Sequence, residues 1–227
     1  MTPSRRIGLT GGIATGKSSV ARCLAAEHGL TVLDADRFAR DALAPGTEAT
    51  LEVLSRYGSA VRADPAPTNL PSIDRAALGR IVFADAKERS WLEQLVHPIV
   101  RARFSAALAN WKDGPTVVLM IPLLYEAGLE PLCSEVWVVD CGGETEQLHR
   151  LMTRNQLTSL EAWARMGAQW PMATKVSRAD VVIDNSGSPA SLSDQVAAAL
   201  ASTKPKTVSV EPRSDASPDA LDALPTV

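Results

Sequence analysis

The residues from Gly11 to Ser18 have the types and spacing of a phosphate-binding loop. They read Gly-Gly-Ile-Ala-Thr-Gly-Lys-Ser and fit the pattern G-x-x-x-x-G-K-[ST] at every fixed position. The glycines of such a loop allow backbone angles that a β-carbon would forbid, so that N–H groups can turn inward around phosphate oxygens. Lys17 would then reach the β- and γ-phosphates of ATP, and the Ser18 hydroxyl would be a ligand of Mg²⁺.

The segments on either side of the loop support this interpretation. Residues 7–10 suit a short buried strand, and residues 17–28 have apolar side chains on one helical face. The positive end of that helix would add to the anion site. A chance glycine turn before a helix is the alternative, and the flanking elements argue against it. We predict nucleotide contacts from the whole loop, with Ser18 also binding the metal: Gly11, Gly12, Ile13, Ala14, Thr15, Gly16, Lys17, Ser18 and Ser19.

Other segments separate the classes of protein that carry such a loop. A GTPase would carry a guanine-reading N-K-x-D segment, which the sequence lacks. The segment 140–143 fits a bare D-x-x-G, but a strand end followed by a glycine turn explains it better. A motor ATPase would carry an apolar strand ending in an acidic pair, whereas the apolar run 117–121 ends at Pro122. The sequence therefore favours a small-molecule kinase.

Asp34 and Asp36 are candidates for the carboxylate that such a kinase needs beside its acceptor hydroxyl. They lie where a predicted strand at residues 31–34 ends, and sites in open α/β sheets form at the carboxyl ends of strands. Capping of the following helix is the alternative role for an aspartate at this point. We take Asp36 as the stronger candidate for the catalytic base.

Cationic side chains cluster between residues 150 and 178, where a mobile lid would fall. Arg150 and Arg154 are one helical turn apart and share a face, and Arg165 and Lys175 follow them. A guanidinium group can clamp phosphate oxygens with two hydrogen bonds or stack on adenine. We predict that Arg150 and Arg154 contact the nucleotide and that Arg154 takes part in catalysis. A solvated charged face is the alternative.

The elements that must position these residues are predicted strands alternating with helices, which is typical of a parallel α/β sheet. Apolar runs at 116–121, 135–140 and 181–183 add three strands to the first two. The helical stretch between the second and third strands predicts an insert. Within it, Asp85 and Glu88 predict a capping box for a helix to about Val96, and Pro98 predicts the start of another helix. Thr158 and Glu161 predict a second capping box, for a helix through Gln169.

The composition is ordinary for a globular protein, with 45% apolar and 22% charged residues in a chain of 227. A net charge of −3 gives no electrostatic case for nucleic acid or an anionic membrane as partner. Cys23, Cys133 and Cys141 are isolated, which indicates neither a zinc site nor a disulfide framework. With no signal peptide or membrane span in the sequence, we expect a cytoplasmic enzyme.

Several segments together resemble the dephospho-CoA kinases, over residues 6 to about 200. The phosphate loop resembles theirs, and residues 34–40 resemble their D-A-D-x-x-A-R segment. Further resemblances lie in Arg75, Leu78, Gly79, Val82 and Phe83; in His97-Pro98; in Pro122-Leu123-Leu124-Tyr125-Glu126; in Arg150 and Arg154; and in Arg165, Gln169, Lys175, Ala179, Asp180 and 182–185. Only the loop is specific by itself; the order and spacing of all the segments carry the resemblance.

The resemblance implies transfer of the γ-phosphoryl group of ATP to the ribose 3′-hydroxyl of dephospho-CoA, with Mg²⁺, giving CoA and ADP. It implies a P-loop NTPase-type fold with a five-stranded parallel sheet flanked by helices. A single kinase domain would span 1–203, with a helical CoA-binding insert at about 36–112, a lid at about 150–178 and a flexible tail at 204–227. Asp36 would be the base, and the acceptor would contact Asp36, Arg40, His97, Leu123, Leu124, Tyr125 and Glu126. His97 has an alternative role as a cap of the helix after it.

The sequence departs from the family pattern at several places, among them Thr15 for serine and Ser19 for threonine in the loop. Ala14 stands where the family usually has glycine, which predicts a backbone angle compatible with a β-carbon. Tyr125 replaces phenylalanine and adds a hydroxyl to the predicted acceptor pocket. Residues 169–172 are unusual for the lid. Two other functions remain open: a kinase for nucleosides or nucleotides, and a regulator that binds ATP without turnover. The sequence does not predict the oligomeric state.

Overall fold

A computed structural model describes residues 5–64, 69–111 and 116–202. Within these residues the strands are β1 (Arg6–Gly11), β2 (Thr31–Asp34), β3 (Val117–Met120), β4 (Glu135–Asp140) and β5 (Val181–Asp184). The helices are α1 (Lys17–Ala26), α2 (Ala35–Ala42), α3 (Glu48–Tyr57), α4 (Arg75–Ala84), α5 (Ala86–Ala109), α6 (Glu144–Asn155), α7 (Ser159–Gly167), α8 (Met172–Ser177) and α9 (Pro189–Ser202). The chain forms two compact units, which divide it after Asp34 and again after Asn110.

The first unit contains the five strands in one sheet, in the order β2-β3-β1-β4-β5, and every neighbouring pair is parallel. Strands β3 and β4 are almost continuous apolar runs because they are covered on both faces. Val20 and Leu24 of α1 and Val196 of α9 pack with the sheet in one buried cluster. The predicted parallel α/β sheet of five strands is confirmed.

The second unit comprises residues 35–110 and lies in the chain between β2 and β3. Its own buried cluster includes Val53, Val61, Leu78 and Val82, from α3, the segment after it and α4. The helical content predicted for this part of the chain is confirmed. Its role as a CoA-binding insert stays a prediction, as does the lid at 150–178.

Helix α5 corrects the prediction of two helices separated at Pro98. It is a single helix of 24 residues with Pro98 inside it. Proline costs a helix one backbone hydrogen bond and crowds the preceding turn. That local cost is overridden here, in a helix that buries Val96 before the proline and Phe104 and Leu108 after it. His97 therefore lies in mid-helix, and the alternative role of a cap is wrong.

The two predicted capping boxes differ in outcome. Thr158 and Glu161 form the reciprocal pair at the start of α7. Asp85 caps α5 through the Lys87 N–H, but the Glu88 carboxylate accepts instead from Arg56 and from the Tyr57 hydroxyl. Those contacts hold the pKa of Glu88 far below its ordinary value, at about 2.

One further boundary of the prediction changes, at the end of α7. Helix α7 ends at Gly167 rather than Gln169, because Pro171 restricts the residue before it and a new helix starts at Met172.

None of the helices in the described part of the chain combines the length and the apolar character needed to cross a bilayer. The tail predicted at 204–227 lies outside the described residues.

Candidate active site

The phosphate loop joins the carboxyl end of β1 to the amino end of α1. Gly11 has φ 149° and Gly16 has φ 102°, angles that favour glycine. A β-carbon on Gly11 would lie 2.5 Å from the carbonyl oxygen of Val139, and one on Gly16 would overlap the side-chain amide of Asn185. The loop thus needs both glycines for the reason predicted from its sequence.

Ala14 does not have the backbone angle compatible with a β-carbon that its residue type predicts. Its φ is 63°, in the left-handed region, where an L-residue other than glycine is strained. The loop therefore keeps the backbone angle that glycine would adopt easily. The neighbouring residues impose it: the Thr15 hydroxyl donates to the Gly12 carbonyl oxygen at 3.0 Å, closing the turn on both sides of Ala14.

Lys17 folds its ammonium group back over the loop. The Nζ atom donates to the carbonyl oxygens of Gly11 and Gly12, at 3.1 and 2.7 Å. Ser18, in the first turn of α1, is exposed. The first N–H groups of a helix have no partner inside it and carry the positive end of its dipole. The loop therefore presents a lysine, a hydroxyl and helix N–H groups to an anion.

Side chains from three later parts of the chain hold the loop in place: α6, the segment 169–172 and the residue after β5. Gln147 Nε2 of α6 donates to the Ile13 carbonyl oxygen at 2.8 Å, and Asn185 Nδ2 donates to the Thr15 carbonyl oxygen at 2.9 Å. The Ile13 N–H donates to Gln169 Oε1 at 2.8 Å, and the Gly12 N lies 3.0 Å from Met172 Sδ. These contacts reach Gly12, Ile13 and Thr15 and hold the loop in its observed shape.

The two arginines of α6 differ in their surroundings. Arg150 donates to Glu146 Oε1 at 2.6 Å and to the carbonyl oxygen of Asn185 at 3.0 Å. Since Asn185 also holds Thr15, Arg150 is linked to the loop through one residue. Arg154 is exposed and donates to Asn155 Oδ1 at 2.8 Å. Arg150 is thus held close to the loop residues, and Arg154 faces solvent one turn further along.

The turn after β3 holds four of the residues predicted to contact the acceptor. Leu123 is partly buried, and Leu124, Tyr125 and Glu126 are buried. The Tyr125 hydroxyl has no hydrogen-bond partner among the described residues, and burial raises its pKa to about 12. Glu126 forms an ion pair with Lys175 of α8. Lys175 is therefore a buried residue, not a solvated cation of a lid.

Asp36, Arg40 and His97 belong to the second unit. Strand β2 ends at Asp34 and α2 begins at Ala35, so that Asp36 lies in the first turn of a helix. Arg40 Nε donates to the Asp36 carbonyl oxygen at 3.3 Å, and Arg75 holds the Arg40 carbonyl oxygen at 2.7 Å. The pKa of the exposed His97 is lowered by desolvation and by the charge of Arg101.

Comparison with known proteins shows which protein family this chain belongs to. A family model described as "Dephospho-CoA kinase" matches residues 5–191. The chain belongs to the dephospho-CoA kinase family. The resemblance predicted from the sequence is thereby confirmed, and it includes β1, the phosphate loop, the second unit and all of α6 to β5.

Named members of the dephospho-CoA kinase family are similar over most of their length. The dephospho-CoA kinase of Synechococcus sp. (strain CC9605) is 62% identical over 185 residues, which are 82% of this chain and 86% of that protein. The one from Prochlorococcus marinus (strain MIT 9313) is 56% identical over 194 residues, 86% of this chain and 94% of that protein.

Two solved structures are similar to this chain over most of its length. The dephospho-CoA kinase from Campylobacter jejuni matches with a TM-score of 0.65 and 27% identity, covering 86% of this chain and 95% of that one. A Thermus thermophilus protein matches with a TM-score of 0.71 and 35% identity, covering 89% and 100%.

Sequence reasoning did not assign a role in this dephospho-CoA kinase site to Gln147, Asn185, Gln169 or Met172. Asn185 and Gln169 belong to the segments that resemble the family, but their spacing along the chain does not predict contact with the phosphate loop. Gln147 carried one usable signal, because it is a polar residue on the buried face of an otherwise amphipathic helix. Met172 carried none.

Ser18 and one cluster near the end of α1 are candidate metal ligands among the residues that the structure describes. Ser18 presents an exposed hydroxyl oxygen at the phosphate loop, the kind of hard ligand that Mg²⁺ prefers. Among the described residues, Cys23, Glu27 and His28 also bring three ligand atoms within 4.8 Å of one another. They lie at the other end of α1, and the Glu27 carboxylate already accepts from Ser193. Only Ser18 belongs to this site.

Proposed function

We propose that this chain transfers the γ-phosphoryl group of ATP to the ribose 3′-hydroxyl of dephospho-CoA, giving CoA and ADP, the last step of coenzyme A synthesis. The observation that carries the proposal is a complete phosphate loop, with Lys17 and Ser18 at the start of α1, in a chain of the dephospho-CoA kinase family. The loop supports the proposed nucleotide site, and membership of the family supports dephospho-CoA as the proposed acceptor.

On the nucleotide side, residues 11–19 surround the phosphates with backbone N–H groups. Lys17 leaves the carbonyl oxygens of Gly11 and Gly12 for the β- and γ-phosphates, and Arg150 and Arg154 offset charge on the transferring group. Ser18 holds Mg²⁺, which, when bound, neutralises charge on the phosphates. Arg154 is the better placed of the two arginines to move, because it is exposed and its hydrogen bond within the described residues is to the neighbouring Asn155.

On the acceptor side, Asp36 orients the 3′-hydroxyl and accepts its proton. The hydroxyl oxygen forms a bond to the γ-phosphorus while the bond to the oxygen shared with the β-phosphate breaks, and ADP leaves. Arg40, His97, Leu123, Leu124, Tyr125 and Glu126 are proposed to surround the acceptor. Of these, the buried Leu124, Tyr125 and Glu126 would act by shaping the walls rather than by direct polar contact.

We also propose that residues 36–112 bind the CoA moiety, that residues 150–178 close over the nucleotide, and that the reaction takes place in the cytoplasm. The free thiols of Cys23, Cys133 and Cys141 suit that reducing compartment. Nucleic acids and membranes have no part in the proposed reaction.

The deciding experiment is ADP release by the purified chain with a panel of acceptors. We expect turnover with dephospho-CoA and little with nucleosides or nucleoside monophosphates. A preference for a nucleoside would replace this function with a nucleoside kinase. Tight ATP binding with no acceptor-stimulated turnover would indicate a regulator.

Asp36→Asn tests the base. A positioned base contributes about 10²–10⁴ in rate, so kcat should fall by that factor while ATP still binds. Asp41→Asn is the matched control, since Asp41 lies on the same helix, is exposed and contacts Arg37 and Arg103. Wild-type kcat in Asp36→Asn would rule out the assigned role.

A further inference from the structure

Glu126 and Lys175 form an ion pair that is completely buried in the first unit. Lys175 Nζ lies 2.7 Å from Glu126 Oε1, and both side chains are 0% exposed. The second carboxylate oxygen, Oε2, has no hydrogen-bond partner among the described residues. Taking two charges out of water costs several kcal/mol per ion, so such a pair is a poor source of stability. Removing only one partner would leave an unpaired charge buried in the first unit.

The pair ties the turn after β3 to the segment 169–178. Glu126 Oε1 also accepts the backbone N–H of Trp170 at 3.0 Å, so one oxygen holds that segment at Trp170 and at Lys175. The Trp170 ring stacks on Tyr125, with centroids 6.1 Å apart and planes 3° apart, and the Arg178 guanidinium lies against both rings. The segment is therefore fixed at several points along its length.

The same segment holds the phosphate loop. Gln169 precedes Trp170 and accepts the Ile13 N–H, while Met172 follows it and lies against the Gly12 N. The Ile13 carbonyl oxygen is held from the other side by Gln147. A β-carbon on Gly12 would overlap Gln147 and lie 2.9 Å from Met172 Sδ, so these two side chains leave little free space around the loop. The position of the Ile13 peptide thus depends on the position of residue 169.

We propose that the Glu126–Lys175 pair is a positioning device for the nucleotide site. It fixes residues 169–172 so that Gln169 sets the Ile13 peptide, and through it the loop that receives the phosphates. Neither charge touches ATP. The proposal rests on the proposed function only in that the loop binds ATP, and it leaves the identity of the acceptor open.

The test uses the full chain and removes both charges together. In Glu126→Gln/Lys175→Met the amide oxygen can still accept from Trp170, and no unpaired charge is left buried. Gln169→Leu removes the final contact alone. We expect each variant to raise the Kd for ATP with Mg²⁺ by about 3- to 10-fold, the range for one hydrogen bond. In Gln169→Leu, which leaves every residue assigned to the acceptor unchanged, the KM for dephospho-CoA should stay within about twofold.

Combining the three substitutions separates positioning from general loosening of the fold. If the pair acts through Gln169, the triple variant binds ATP no more weakly than Gln169→Leu, because the effects of residues in one chain of contacts do not add. If the effects multiply, the pair acts by another route and the proposal fails.

A direct readout is hydrogen exchange at the Ile13 amide, followed by NMR in protein labelled with ¹⁵N-isoleucine. We expect loss of protection at Ile13 in Gln169→Leu and in the double variant. Retained protection in the double variant would overturn the proposal. This measurement and the ATP Kd need no acceptor, so an inactive wild-type chain would refute the proposed kinase activity without touching this inference.

The matched control is the largely buried ion pair Arg5–Glu135, which also belongs to the first unit. It lies at the opposite end of β1 from the loop, with side chains 14% and 3% exposed. Arg5→Met/Glu135→Gln should change the melting temperature and leave both the ATP Kd and Ile13 protection unchanged. If Glu126→Gln/Lys175→Met melts too low to assay, Lys175→Arg takes its place. It keeps the charge but alters the geometry of the pair, and wild-type ATP affinity and Ile13 protection in it would count against the proposal.

Discussion

At the scale of single residues, Ala14 is held in a backbone conformation that ordinarily belongs to glycine. Left-handed φ and ψ values cost an alanine roughly 1–2 kcal/mol because its β-carbon crowds the following carbonyl oxygen. Gly11 and Gly16, on either side, adopt positive φ without that cost. The loop thus stores strain at one position, which the surrounding hydrogen bonds maintain.

Ala14→Gly should stabilise the chain by about 1 kcal/mol, because the relief of strain exceeds the extra freedom of glycine in the unfolded state. Chemical denaturation, with the midpoint and slope fitted together, measures the change. Ala102→Gly is the matched control: Ala102 is exposed in mid-α5, where glycine should destabilise by about 0.5–1 kcal/mol. Destabilisation by both substitutions would mean that Ala14 is unstrained.

At the scale of elements, α5 continues through Pro98 although proline removes one of its hydrogen bonds. The apolar residues on both sides of the proline compensate for that loss by packing within the second unit. Pro98 itself is exposed, so its ring contributes little burial. The helix therefore carries a local cost that could be removed without disturbing a buried contact.

Pro98→Ala should raise the free energy of unfolding by roughly 1–3 kcal/mol, since alanine restores the N–H and removes the clash with the preceding turn. Calorimetry of the two variants side by side is the measurement. Pro189→Ala is the control, because Pro189 is the first residue of α9, where the missing N–H has no partner in any case. An equal shift in both would contradict the explanation.

At the scale of the whole molecule, nucleotide binding should raise the free energy of unfolding of the chain. A ligand that binds only the folded chain adds about 2.7 kcal/mol at a concentration of 100 times its Kd. The loop that would bind it is built from β1 and α1 and is held by α6, the segment at 169–172 and the residue after β5. Binding at the loop is therefore coupled to the integrity of the sheet unit.

ATP with Mg²⁺ should raise the melting temperature of the wild-type chain, and Lys17→Met should lose most of that rise. The ligand-free melting temperature of Lys17→Met should change far less, because the hydrogen bonds from Lys17 to the Gly11 and Gly12 carbonyl oxygens contribute only about 0.5–1.5 kcal/mol each. Thermal melts at increasing ATP measure both. A full ATP-dependent shift in Lys17→Met would refute the assignment of the phosphate loop.

The sequence determined the parts of this molecule that obey local rules. The strand before Gly11, the left-handed glycines at 11 and 16 and the helix from Lys17 all follow from residue types at fixed spacing, and apolar runs predicted the strands of the sheet. Local rules failed at Pro98 and Ala14, because packing within α5 and hydrogen bonding within the loop outweighed residue preference.

Only the tertiary structure decided what holds the loop. Ile13 and Gln169 are 156 residues apart, and Gly12 and Met172 are 160 apart, so no periodicity relates them. The sequence placed Lys175 among the cations of a predicted lid, with a solvated charged face as the alternative, and its burial against Glu126 depends on how a turn and a short helix meet. Contacts between distant segments come from the packing of the sheet and its helices, which carries no signature in the spacing of any one segment.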